Sequence, residues 1–444
     1  MIASLKCLGN KMNAGKVLFA SRNLKFSSIE NASVIKSKSR TLVDLEGSYG
    51  AHNYNPIPVV LSKGQGVYVW DVEGKEYLDF LSAYSAVNQG HCHPRILATF
   101  KEQADQLTLT SRAFYNDKLG SFCQFMSETF KYDRVLPMNS GVEACETAVK
   151  LARRWAYRIK KVPPMEAKVV FAEENFWGRS LAAVSSSTDP VSYEGFGPFM
   201  PGFELIPYNN LEALENLLSK DPTIAAFMVE PVQGEAGVKI PHEEYFKGVR
   251  ALCDKYDVLF IADEVQTGLG RTGSLLASEG FGVRPDVLCL GKALSGGMMP
   301  VSAVLASDEV MLTIRPGEHG STYGGNPLAC SVATTAVKVL LEEGMIENSK
   351  TLGARFLKDL QNMCKQYAIV KEVRGRGLML AIELSTPQDS PVAWELCMKL
   401  SELGLLAKPT HGNVVRLTPP LVITSSQIDS ALERIQAALT DLKF

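Results

Sequence analysis

The chain has 444 residues, 46% of them hydrophobic, and a formal net charge of -2. That length suits two or more domains around a sizeable core. The near-neutral balance gives no long-range attraction to nucleic acid or to an anionic membrane surface, and no apolar run reaches the roughly 18 residues of a membrane-spanning helix.

The first forty residues differ from the rest. They hold eight Lys/Arg against a single acid, Glu30. Basic, acid-poor sequence with spaced apolar residues leads us to expect a mitochondrial transit peptide over 1–40, addressed to the matrix. A disordered basic tail has the same composition. A secretory signal would need a compact apolar stretch that this segment lacks. Nine cysteines are scattered without a CxxC pair, which fits free thiols in a reducing compartment.

Residues 41–84 form an N-terminal segment in which 66–74 read as a strand and turn. Short apolar runs follow at 168–172, 225–229, 258–262, 287–290 and 301–306, separated by helical patterns. Runs apolar on both faces and spaced by helices predict a buried, mostly parallel sheet, and so an α/β fold. We therefore expect a large domain over 85–342. Helices are predicted at 328–341 and 346–367. A strand pair at 369–373 and 378–383, joined through Arg374-Gly375-Arg376-Gly377, then opens a smaller C-terminal α/β domain, 343–444.

In open α/β sheets ligands bind beyond the carboxyl ends of the strands. Lys292 follows one apolar run and is flanked by small residues, where an amine can serve as a nucleophile; taken alone it reads first as a surface lysine at a strand end, and its partners change that. Asp263 ends another run, and a buried carboxylate needs a cation or donors; a helix cap or structural ion pair would also account for it. Asn139-Ser140-Gly141-Val142-Glu143 opens a helix with Ala148, Ala152, Trp155 and Ile159 on one face. Its free N–H groups suit a phosphate, though a Ser-capped helix has the same sequence. The hydroxyl-bearing stretch from Gly320 to Gly325 could supply further phosphate donors. Phe176 could stack on a flat ring, and Arg179 could hold a carboxylate. Gly268 to Gly273 matches a dinucleotide fingerprint, but little room remains for its crossover helix. His91-Cys92-His93 has no further cluster to complete a metal site, so no metal is expected.

Together these pieces resemble the class III (ω-) aminotransferases of pyridoxal-phosphate fold type I, from about residue 45 to the end. The resemblance is carried by LFIADEVQTGLGRTG at 259–273, Pro285-Asp286 and GKALSGG at 291–297. Within the class, YGAHNYNP at 49–56, YSAVNQGHCHP at 84–94 and AKPTHG at 407–412 are similar to the ornithine-acting members of eukaryotic mitochondria. The resemblance implies pyridoxal 5'-phosphate as cofactor and a homodimer or an oligomer of dimers. Lys292 would be the Schiff-base lysine and proton shuttle, and Asp263 the partner of the ring nitrogen. Phe176 and Val265 would sandwich the ring, and Gln266 would meet its phenolic oxygen. Gly141 and Val142 would hold the phosphate, with Ser321 and Thr322 reaching it across the dimer interface. Tyr54 and Arg179 would hold the donor's α-amino and α-carboxylate groups, and Tyr84, Glu235 and Arg416 would complete the specificity set. N-Acetylornithine or 4-aminobutyrate would be the rival donors, and a non-catalytic scaffold the rival role. The segment Gly297-Met298-Met299-Pro300 beside the lysine is expected to affect packing only.

Overall fold

The computed structural model describes residues 37–442. Most of the expected transit segment, and Cys7, lie outside the described residues. Residues 37–40 begin a helix, Lys38–Tyr49, capped by the Ser37 side chain.

Three antiparallel strands follow: β1 (Leu61–Gln65), β2 (Tyr68–Asp71) and β3 (Glu76–Asp79). The central sheet is built from β4 (Arg134–Met138), β5 (Lys168–Ala172), β6 (Phe203–Ile206), β7 (Ile224–Val229), β8 (Leu259–Asp263), β9 (Val287–Leu290) and β10 (Ser302–Ala306). Their order is β4-β10-β9-β8-β7-β5-β6, and β10 runs antiparallel to both neighbours. The five expected apolar runs are strands of this sheet, displaced by a residue at most at either end.

The expectation lacked β4 and β6, and burial explains why. Every residue of β7, β8, β9 and β10 is buried, so these strands read as unbroken apolar runs. The sheet's two outermost strands carry Arg134 with Pro137, and Glu204, and are only partly covered.

The helix Gly141–Trp155 packs on the sheet with Ala144, Ala148, Leu151, Ala152 and Trp155 buried. The expected face does not continue to Ile159, which is 44% exposed. After Trp155 the chain widens into a π-helical turn, Ala156–Lys160, and one wider turn rotates the next side chains off the buried stripe.

Helices Pro327–Glu342 and Met345–Cys364 meet at Gly344, whose φ of 70° breaks the run. Beyond them lie β11 (Val370–Arg376), β12 (Met379–Leu384), β13 (Leu405–Leu406), β14 (Lys408–Thr410) and β15 (Val414–Leu417). The expected Arg374–Gly377 connection is shorter than predicted: Arg374 to Arg376 pair within the hairpin, and the turn falls at Gly377. The β13 strand pairs with β3, so the start and end of the described chain share a sheet.

Candidate active site

The carboxyl ends of β7, β8 and β9 open onto a cavity of about 230 Å3, lined among others by Gly141, Val142, Cys145, Phe176, Glu230, Asp263, Val265, Gln266 and Lys292. A larger cavity, about 540 Å3, lies at the opposite edge, beside Asp257, Leu259 and Asp286 where β8 and β9 begin. Size does not select the site here. The smaller cavity holds the convergent polar groups and sits where a parallel sheet presents its helix starts and loops.

Each side chain reaches the cavity for a local reason. Asp263 is the last residue of β8, and Glu230 and Gly291 directly follow β7 and β9. After Gly291 the chain turns at Lys292, whose φ of 42° is left-handed, and continues as a tight 3-10 turn of buried Ala293, Leu294 and Ser295. A left-handed non-glycine residue carries backbone strain, and such strain collects where a side chain must be aimed.

Asp263 is 4% exposed. Its Oδ1 accepts the Val265 N–H at 3.0 Å, and its Oδ2 accepts the Cys145 thiol at 3.4 Å. Burial pushes its carboxyl above the ordinary range, against the Val265 N–H and the Lys292 charge. Glu230 accepts N–H groups of Phe176 at 3.0 Å and Gly234 at 3.3 Å; burial, then the Asp263 charge, pushes it up to about 8. Two buried carboxylates with so few donors form a site built to receive a cation.

The helix Gly141–Trp155 points its start at the same cavity. Ser140 and Glu143 cap it reciprocally, with Glu143 accepting the Ser140 N–H at 2.7 Å. The first-turn N–H groups of Gly141 and Val142 have no helical carbonyl behind them. Close packing makes glycine necessary nearby. A Cβ on Gly141 would stand 2.7 Å from Val265 Cγ1, and one on Gly178 would stand 2.3 Å from Val142 Cγ2. The result is a cavity lined by Phe176 and Val265 on which helix-start N–H donors, a carboxylate and an amine converge. These residues fit pyridoxal phosphate: N–H donors for the phosphate, Asp263 for the protonated ring nitrogen, Lys292 for the aldehyde.

On the substrate side, Arg416 of β15 is 3% exposed and donates to Glu235 Oε1 at 2.7 Å. Burial opposes the Glu235 charge, but the Arg416 charge and hydrogen bond prevail and hold it below the ordinary range. The Arg416 guanidinium lies 5.1 Å above the Tyr84 ring. Tyr54, 67% exposed, has Lys408 5.8 Å from its ring centre. Arg179 is exposed and lies 5.6 Å from the Phe176 ring. Gln266 donates to the Tyr84 carbonyl at 3.3 Å. Ser321 Oγ accepts from Asn139 at 2.8 Å, which ties the Gly-rich stretch to the phosphate loop, and Thr322 is exposed.

Three features had no counterpart in the sequence reading. Glu230, directly after β7, is not among the expected site residues. Residues Ser82, Ala83, Tyr84 and Ser85 form a left-handed turn without glycine, with φ from 48° to 69°. Arg271, inside the glycine fingerprint, is fully buried and donates to Leu378 and Pro419 carbonyls and to Asn88. Only Arg271 left a signal, a cation among glycines and threonines. His91 and His93 pair with Asp79 at 2.7 Å and Glu343 at 3.0 Å, as parts of the packing around them.

The class-III aminotransferase family matches residues 49–439, and the chain belongs to that family, whose cofactor is pyridoxal phosphate. Among its relatives, the mitochondrial ornithine aminotransferase of Drosophila melanogaster is 57% identical over 94% of this chain and 96% of its own length. Among solved structures, an ornithine aminotransferase from Toxoplasma gondii, reported with partial occupancy of PLP at its active site, superposes with a TM-score of 0.89; it is 50% identical, covering 90% of this chain and 94% of its own. An acetylornithine aminotransferase from Elizabethkingia anophelis superposes at 0.84, 51% identical over 91% of this chain and 98% of its own.

Proposed function

We propose that this enzyme transfers the δ-amino group of L-ornithine to 2-oxoglutarate, giving glutamate 5-semialdehyde and glutamate. The observation that carries this reading is the Glu235–Arg416 pair at 2.7 Å. Ornithine presents a terminal amine, with its only carboxylate far from the reacting carbon. 2-Oxoglutarate brings a carboxylate next to that carbon. An unpaired buried Arg416 would favour the second and leave an idle charge for the first. Glu235 occupies Arg416 while ornithine reacts and yields it to the incoming carboxylate of 2-oxoglutarate.

When bound, pyridoxal phosphate supplies an electron sink through its protonated ring nitrogen. Asp263 holds that proton from the end of β8. Lys292 Nζ, held by its left-handed turn, takes and returns the proton at the substrate carbon. Phe176 and Val265 sandwich the ring. Tyr54 and Arg179 serve the α-amino and α-carboxylate ends of ornithine, and Tyr84 orders the space beside Arg416. Ser321 and Thr322 serve the phosphate of a partner subunit in a homodimer. We assign 85–342 to a large cofactor-binding domain, 343–444 to a small domain, and the protein to the mitochondrial matrix.

N-Acetylornithine is the nearest rival donor, and Tyr54 favours the uncapped α-amine. A donor panel on the holoenzyme tests the reading. Ornithine should lead it, and Glu235→Ala should weaken ornithine turnover relative to simple ω-amines. Preference for N-acetylornithine would overturn the assignment, and unchanged selectivity in Glu235→Ala would overturn the pairing switch.

A further inference from the structure

We infer that Cys145 is a positioning residue: its thiol proton fixes the Asp263 carboxylate in the plane needed to hold the cofactor's ring nitrogen. The inference rests on the assignment of Asp263 as that nitrogen's partner.

The geometry is specific. Cys145 sits one turn into the helix Gly141–Trp155, is fully buried and lines the floor of the cavity. Its Sγ stands 3.4 Å from Asp263 Oδ2, while the Val265 N–H holds Oδ1 at 3.0 Å. Each oxygen thus has one donor, and the pair of donors stops the carboxyl from rotating about its last bond. Cys289, on β9 in the same buried cluster, turns its own thiol to the Ala144 carbonyl at 3.9 Å. Burial, the neighbouring thiol and the Asp263 charge all disfavour a thiolate, so Cys145 keeps the proton it donates. The other titratable groups acting on Asp263 are Glu230 from the end of β7 and Lys292 from the end of β9; neither hydrogen-bonds Oδ2.

An S–H donor is weak, so the effect is modest. Removing it leaves the ionised carboxylate less well held, which lets the ring proton shift toward Asp263 and raises the pH at which the lysine–cofactor linkage titrates. The test compares Cys145→Ala and Cys145→Ser with the unaltered protein, as holoenzymes. Borohydride labelling of Lys292 comes first: failure to label it would remove the parent reading rather than this one. The midpoint of the visible absorbance band is then titrated against pH, and cofactor affinity is measured by adding pyridoxal phosphate back to the apoprotein. Cys145→Ala should raise the midpoint by about half a pH unit and weaken affinity by roughly threefold, about the value of one weak hydrogen bond. Cys145→Ser, which keeps a donor, should stay close to the unaltered protein. An unchanged midpoint and affinity in Cys145→Ala would overturn the inference. So would equal shifts in both variants, since a role in packing alone follows size and not the donor.

Discussion

At the scale of single residues, Lys292, Gly178 and Glu230 each carry a measurable consequence. Lys292→Ala should lose covalent cofactor and at least about 100-fold in turnover, the lower bound for losing a positioned proton carrier; turnover within tenfold of the parent would contradict its role. Gly178→Ala should leave every polar group in place yet weaken pyridoxal phosphate binding about tenfold. Its Cβ would stand 2.3 Å from Val142, at a φ of 146°, and such overpacking costs about 1–3 kcal/mol. Titration of the apoprotein with cofactor measures this. Glu230 sets a pH dependence. Its proton is bound more tightly in the fold than in the unfolded chain, because burial and Asp263 push it up to about 8. The stability it contributes is therefore complete below the ordinary glutamate range and lost as pH rises through about 8. The apoprotein should melt at lower temperature at about pH 9 than at about pH 6, and Glu230→Gln should flatten that decline; an equally steep decline in the variant would place the titration elsewhere.

At the scale of elements, the left-handed turn at Ser82–Ser85 carries Tyr84 beside Arg416. Left-handed backbone costs about 1–2 kcal/mol for each L-residue, and this turn spends it where a side chain must be presented. Ala83, at φ 48° and ψ 48°, is the cleanest place to relieve it. Ala83→Gly should raise the thermal midpoint, with a net gain of up to about 1 kcal/mol after the glycine's own chain entropy, and should raise the KM for ornithine as Tyr84 loosens. Destabilisation would mean that the turn is not strained. The same turn shows what a sequence leaves out. Strands buried on both faces announce themselves as apolar runs, and the groups at their carboxyl ends, Asp263 and Lys292, could be placed from that rule. A run of positive φ in Ser-Ala-Tyr-Ser has no compositional sign, because it is imposed by tertiary contacts. The outermost strands, half covered and carrying Arg134 or Glu204, have no clear period either. The π-turn at Ala156–Lys160 hides for the same reason, since helical periodicity in the sequence continues past the point where the backbone changes pitch.

At the scale of the whole molecule, Arg271 ties three distant stretches together through Asn88, Leu378 and Pro419. Its charge is wholly buried and is met chiefly by carbonyl dipoles. Removing it would strand those acceptors, at about 1–3 kcal/mol each. Arg271→Met should therefore lower holoenzyme stability in denaturant by several kcal/mol, and a loss under about 1 kcal/mol would show that the segments hold together without it. The glycine fingerprint around Arg271 thus has a structural explanation: Gly377 lets the β11–β12 turn approach Arg271–Gly273 in the loop after β8, and Gly273 leaves room for Lys350 of the helix Met345–Cys364.

All of this depends on one amine at the end of β9 carrying the cofactor opposite Asp263. Borohydride reduction of the holoenzyme, followed by digestion and mass mapping, tests that most directly. The predicted result is a single phosphopyridoxyl adduct on Lys292, absent when ornithine is added without 2-oxoglutarate before reduction. An adduct on any other lysine, or one that ornithine does not discharge, would contradict the account.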